Sequence, residues 1–280
     1  MPTFDTPEPI AAVIEITAGR VRIHASDRTD TVVEVRPSDE TRDADVHAAE
    51  QTQVEYTNGQ LSVRAPKNKL RSLLGRPPSI QLTISLPSDS RVDAKGWADY
   101  RSEGRIGESS FDTAAGSIRL DQTGGLKLRT AAGNVTVGRS GGHIDVSTSS
   151  GKIWIGEIDG AAVVKTANGD ITIGEVTDDA RLKTANGDIT VHRALGAVSA
   201  KTAYGSVRID EVVRGSVLLE TGFGELELGV REGTAAWLDV SSQHGSVRSD
   251  LEASDSPEQS AETVEVRART GYGDIVIRRP

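Results

Sequence analysis

From Gly116 to the C-terminus, apolar and polar residues alternate in short runs, and each run is broken by a glycine three residues after a Thr or Ser. The clearest copies are Thr166-Ala-Asn-Gly-Asp-Ile-Thr-Ile173 and Thr184-Ala-Asn-Gly-Asp-Ile-Thr-Val191. Alternation with a period of two marks a strand with one buried face. The repeat glycines are Gly116, Gly133, Gly151, Gly169, Gly187, Gly205, Gly224, Gly245 and Gly273, at intervals of 17, 18, 18, 18, 18, 19, 21 and 28 residues.

Aligned on that glycine, the chain forms columns. Before it run Leu126, Ile144, Ala162, Ala180, Val198, Val217, then Leu128, Val146, Val164, Leu182, Ala200, Leu219, then a threonine column from Thr130 to Thr221. After it run Val135, Ile153, Ile171, Ile189, Val207, Leu226 and Val137, Ile155, Ile173, Val191, Ile209, Leu228, with a weaker mark at Ile158, Val176, Ala194 and Val212 that suggests a short third strand. A unit of about 18 residues cannot bury its own apolar face and has to stack on its neighbours. Antiparallel hairpins with Asn-Gly turns could use such a unit, as could coils of a β-solenoid. Like residue types at equivalent positions favour the solenoid, whose parallel coils stack at about 4.8 Å. The predicted fold is therefore all-β, a single parallel β-helix-like solenoid of about nine coils over 109–280, with a loop inserted at 251–262.

Residues 1–108 follow the pattern loosely and are predicted to form an irregular β-rich cap, closing an end that would otherwise pair with other chains. Strands are expected at Ile10–Ile16 and Arg20–His24 around a tight turn at Thr17-Ala-Gly19, and at Thr31–Arg36 and Ile80–Leu86. A short helix is expected at Asp43–Thr52, with Val46 and Ala49 on one side. Val54–Thr57 and Gln60–Arg64 flank Asn58-Gly59, a strong hairpin signal.

Composition narrows the function. There is no cysteine, which removes disulfides, thiol catalysis and Cys-based zinc sites. A formal charge of −9 argues against nucleic acid as a partner. No apolar run is long enough for a membrane span, and Met1–Pro9 does not read as a secretory signal, so a cytoplasmic location is expected. Against that acidic background, residues 65–79 hold Lys67, Lys69, Arg71 and Arg76 beside three leucines. This basic loop is either solvated chain or a peripheral contact with a membrane surface or partner.

Gly138-Arg-Ser140-Gly-Gly142 matches the nucleophile string of serine hydrolases, but no helix follows to make the required elbow. Asp170 and Asp188 share a column one period apart, which suits a retaining glycosidase pair or, weakly, calcium. Lys152 and Ser206 flank them, so turn carboxylates are the simpler reading. The five histidines show no metal-ligand spacing, and no cofactor motif is present. Arg129, Lys165, Lys183 and Lys201 form an outward basic column, with Glu157, Glu175 and Glu211 on another. The position before the glycine changes most: Ala132, Ser150, Asn168, Asn186, then Tyr204, Phe223, His244 and Tyr272. These aromatics are the candidate binding residues.

The Thr-x-x-Gly-x-Ile-x-Ile repeats, with the closing Val264–Ile277, resemble a bacterial β-strand-repeat family labelled putative adhesin, domain of unknown function 4097, over most of residues 10–280. The residue usage resembles its actinobacterial members. The resemblance implies a β-solenoid and a link to the cell envelope and its stress responses, and it supplies no catalytic residues. The expected function is a non-enzymatic binding or scaffolding module for a protein or glycan partner, with self-association end to end or along an edge left open. The alternatives are a carbohydrate-active β-helix enzyme using Asp170 and Asp188, and an exported adhesin.

Overall fold

A computed structural model describes residues 1–66, 77–251 and 262–280. Lys67, Lys69, Arg71 and Arg76 of the basic loop, and residues 252–261 of the inserted loop, lie outside the described residues. The chain divides into two compact units, Met1–Gly141 and Gly142–Pro280.

In the second unit each coil is two strands joined at the repeat glycine, and pairing is parallel to the equivalent strand of the next copy. Ala162–Lys165 pairs with Ala180–Lys183, and Ile171–Val176 pairs with Ile189–Ala194, so Ile171 faces Ile189 and Ile173 faces Val191. This is the solenoid register, which stacks like on like. Ile158, Val176, Ala194 and Val212 do not start a third strand. They end the second, where the two residues before them break the alternation, and all four are buried. The aligned apolar columns are buried throughout, at roughly 1.5–3 kcal/mol for each Val, Leu or Ile removed from water.

The Thr-x-x-Gly motif has a structural origin. Gly187 has φ +143°, and a Cβ there would stand 2.2 Å from the carbonyl oxygen of Gly169 one coil earlier. That oxygen also accepts a hydrogen bond from Thr184 Oγ1 at 3.1 Å, and Thr202 bonds Gly187 in the same way. Only a residue without a side chain lets the coils approach this closely. At Thr184, Thr202, Thr221 and Thr270 the threonine satisfies the carbonyl that the approach buries, whereas Thr130 and Thr148 donate to carbonyls of their own turn.

The coils do not stack in chain order at the C-terminal end. Gly215–Phe223 pairs with Thr263–Tyr272, which in turn pairs with Ala235–His244. Leu226–Val230, Ile275–Arg278 and Val247–Ser249 follow the same order. The last strands of the chain thus lie between two coils made earlier, and the Gly245 position packs on Gly273 rather than on Gly224.

The first unit is built likewise. Ala11–Ser26 pairs in parallel with Arg91–Ile106 on one side and, on the other, with Gln60–Arg64 and then Ile80–Pro87. Ala11–Ser26 is one continuous strand, where the sequence suggests two strands and a tight turn. Gly19 turns the corner at φ +147° while its neighbours keep their ladder bonds to Ile80–Pro87. Ser109–Ala115 and Ile118–Thr123 form the next coil, followed by Leu126–Ala132 and Val135–Ser140. Antiparallel strands flank this stack: Thr3–Asp5 on Asp30–Pro37, Asp30–Pro37 on Ile80–Pro87, and Gln53–Thr57 on Gln60–Arg64. Asn58 and Gly59 both have positive φ, as a tight hairpin turn requires. The helix spans Asp43–Glu50 and buries Asp45 and Ala48, rather than Val46 and Ala49. Asp45 is held inside by Arg42 at 2.9 Å and by the Ser79 N–H at 3.0 Å.

Candidate functional site

The variable position before the glycine forms one continuous column in the second unit. Ser150, Asn168, Asn186, Tyr204 and Phe223 bridge one another in sequence, and the pairing continues from Phe223 to Tyr272 and from Tyr272 to His244. Asn186 Nδ2 donates to Asn168 Oδ1 at 2.9 Å, so the amides make a ladder. The rings continue it as a stack. Centroids are 5.1 Å apart for Tyr204 and Phe223, 4.8 Å for Phe223 and Tyr272, and 4.3 Å for Tyr272 and His244, with planes within 7° of parallel. Amide ladders and stacked rings are the arrangements that parallel in-register strands favour.

The four candidate binding residues are therefore brought together, in the spatial order Tyr204, Phe223, Tyr272, His244. Tyr204, Phe223 and Tyr272 are 58%, 47% and 49% exposed. Because Phe223 and Tyr272 each have a ring on both faces, they present edges to solvent instead of open faces. The residues preceding the three carbocyclic rings are Ala203, Gly222 and Gly271, so nothing larger than a methyl group precedes those rings, and Gln243 precedes His244.

The other flank is the position after the glycine, and here the aspartates have a structural task. Asp170 Oδ1 accepts the Asp188 N–H at 3.2 Å, Asp188 Oδ1 accepts the Ser206 N–H at 2.8 Å, and Asp274 Oδ1 accepts the Ser246 N–H at 2.7 Å. Each carboxylate thus satisfies a turn amide of the adjacent coil. Lys152 Nζ lies 2.9 Å from Asp170 Oδ2. The Lys152 hydrogen bond, joined by the amide of Asp188, holds the Asp170 carboxyl below the usual carboxylate range, and the same pairing raises Lys152. A general acid of a glycosidase needs the opposite shift.

Ser140 is fully buried, and its Oγ donates to the Gly124 carbonyl at 2.8 Å. It terminates a strand and is not presented on an exposed elbow. Among the described residues no group of three His, Cys, Asp or Glu is placed to hold a metal ion. The amide-capping role of the aspartate column was missed in the sequence, although Asp or Ser directly after the glycine in three successive copies, Asp170, Asp188 and Ser206, and again at Ser246 and Asp274, is a signal for it. Trp97, Trp154 and Trp237 were missed too; all three are exposed, in three separate strands.

Stacked 18-residue coils with a glycine–threonine seam define a β-solenoid repeat protein. The profile of the family described as Toastrack DUF4097 matches residues 12–278, and the chain belongs to that family. No curated protein matches the chain. Similar solved structures include a putative adhesin from Parabacteroides merdae, with 10% identity, 99% of this chain and 94% of that one covered, and a TM-score of 0.36. Another is a putative adhesin from Parabacteroides distasonis, with 13% identity, 99% and 95% coverage and a TM-score of 0.35. A putative cell adhesion protein from Clostridium sporogenes has 11% identity, 100% and 98% coverage and a TM-score of 0.25.

Proposed function

We propose that this chain is a non-enzymatic, cytoplasmic binding or scaffolding module whose principal contact is the column Tyr204, Phe223, Tyr272 and His244. The observation that carries this reading is the half-exposed four-ring stack. A soluble coil gains rigidity from stacking buried rings, but no stability from leaving about half of each ring in water, whereas an interface gains from covering them. Edge-on rings make a narrow ridge, suited to an apolar cleft on a protein more than to sugar rings, which need an open aromatic face. Asp188, Glu225 and Asp274 along one flank favour a cleft with basic residues on the matching side. The direction of the Asp170 shift and the engagement of the aspartates with turn amides support the non-enzymatic reading over paired-carboxylate hydrolysis.

A pull-down with the full chain tests the ridge. The triple change Tyr204→Ala, Phe223→Ala and Tyr272→Ala should lose the proteins that wild type retains, while circular dichroism still reports a folded β protein. Retention of the same proteins by the folded variant would rule the ridge out. No helix among the described residues is long and apolar enough to cross a membrane. Cell fractionation decides location: recovery in the envelope or medium would favour the exported adhesin.

A further inference from the structure

Parallel in-register stacking gives every outward position a neighbour of the same kind, so a charged position becomes a ladder of like charges unless the sequence alternates them. In the second unit one strand of the coils sets Glu157 against Glu175 and then alternates the signs from Glu175 onward. Arg193 lies between Glu175 and Glu211 at 3.4 and 3.3 Å, and Arg231 reaches Glu211 at 3.6 Å. Beside them Arg208 and Arg278 both hold Glu227, at 3.1 and 2.7 Å.

The other strand does the reverse. Lys165 pairs by register with Lys183, and Lys183 with Lys201. Arg181 stands on the same face two residues before Lys183. Lys201 is matched by Glu220 at 2.8 Å, whereas Lys165, Lys183 and Arg181 make no ion pair among the described residues. The adjacent outward positions Val163 and Ser199 are neutral, and the nearest acids by register, Asp145 and Glu220, close the two ends. Like charges set directly opposite each other in a sheet destabilise it. A fold that alternates signs from Glu175 onward on one strand, yet stacks Lys165 on Lys183 beside Arg181 on the other, retains those cations against that cost.

We propose that the column Lys165, Lys183 and Lys201, with Arg181, binds an unbranched acidic polysaccharide carrying one carboxylate on each sugar ring. The lysine positions repeat at the strand spacing of about 4.8 Å and span about 10 Å, and a polyuronate carries one carboxylate on every ring at short regular intervals along the chain. Lys165 and Lys183 each offer an ammonium group to a sugar carboxylate, and Lys201, which also holds Glu220, ends the run. Neither outward column from Ser147 to Ser241 contains an aromatic ring, so the platform on which single-stranded nucleic acid stacks its bases is missing. The net charge of −9 makes the attraction local, and added salt will weaken it steeply.

The test is titration of the full-length protein with polygalacturonate, using dextran, a single-stranded oligonucleotide and anionic phospholipid vesicles as comparisons. Polygalacturonate should bind and dextran should not. Lys165→Gln with Lys183→Gln should weaken binding about tenfold or more and flatten its salt dependence. Lys183→Glu, which restores alternation between Lys165 and Lys201, should abolish binding while leaving the melting temperature equal or higher. The ridge variant Tyr204→Ala, Phe223→Ala, Tyr272→Ala should bind polygalacturonate as wild type does, which separates this site from the proposed protein contact. The proposal is overturned by absence of polygalacturonate binding, by equal binding of the double glutamine variant or of dextran, by tighter binding of the oligonucleotide or vesicles, or by loss of binding in the ridge variant.

Discussion

At the scale of single residues, the seam between coils is the least forgiving place in the molecule. Gly187→Val meets two penalties together, a left-handed backbone that a branched side chain resists and a Cβ 2.2 Å from a fixed carbonyl oxygen. A loss of about 2–4 kcal/mol is expected in denaturant unfolding, and an unchanged midpoint would refute the seam. Thr184→Val keeps the shape but strands the Gly169 carbonyl, at a cost of about 1–2 kcal/mol. The aspartates give a pH dependence of definite sign. Lys152 and the Asp188 amide lower Asp170, and the Ser246 amide lowers Asp274. At Asp210 burial pushes the carboxyl up, but hydrogen bonds from His192 and Arg208 outweigh it and leave the group low. A lowered carboxyl contributes stability in full above its unfolded value of about 3.9, and the contribution is lost as pH falls through the folded value. The melting temperature should therefore fall as the medium is acidified below about pH 4, and the fall should be shallower in Asp170→Asn with Asp274→Asn. A wild-type melting temperature that does not move over this range would show that these amide contacts are not made in solution.

At the scale of elements, the order of the C-terminal coils is open to a direct check, because the chain has no cysteine of its own. Phe223→Cys with Tyr272→Cys places two thiols on directly paired strands, within the Cα separation of about 4.4–6.8 Å that a disulfide tolerates. Phe223→Cys with His244→Cys places them two strands apart, at about 10 Å. Mild oxidation should link the first pair, seen as a mobility shift on a non-reducing gel, and leave the second unlinked. The opposite result would mean the coils stack in chain order. Most of the fold could be read from the sequence because parallel register copies each environment from coil to coil, so Ile153, Ile171 and Ile189 report the same buried site. Coil order was not readable in that way. Any free edge with the right register accepts the next strand, and only the drift of the glycine interval to 21 and 28 residues hinted at the exchange. The same limit applied to the ridge: the four aromatics were legible as a column, but that Tyr272 lies between Phe223 and His244, and that the rings hide one another's faces, follows from the exchanged order. The helix shows a third limit. Its buried side is chosen by Arg42 and Ser79, and Ser79 is far away in sequence.

At the scale of the whole molecule, an acidic chain with locally unbalanced columns separates two kinds of contact, one made by ring edges and one by ammonium groups. Salt distinguishes them: raising it from about 0.1 to 1 M shortens the screening length from about 10 to 3 Å. Protein capture through Tyr204, Phe223 and Tyr272 should survive that change largely intact, and persistence of polygalacturonate binding through it would contradict the charge-based site. The inserted last strands also bear on how the chain is made. Residues 215–230 leave the ribosome well before Thr263–Arg278, the partner they require, and residues 235–249 must stay clear of that vacant edge in the meantime. At about 5–20 residues per second the interval is a few seconds, long compared with hairpin closure in microseconds. During synthesis the chain-order arrangement is therefore the kinetically accessible one, and reaching the final structure requires either a delay in docking residues 235–249 or their release once the C-terminal strands arrive.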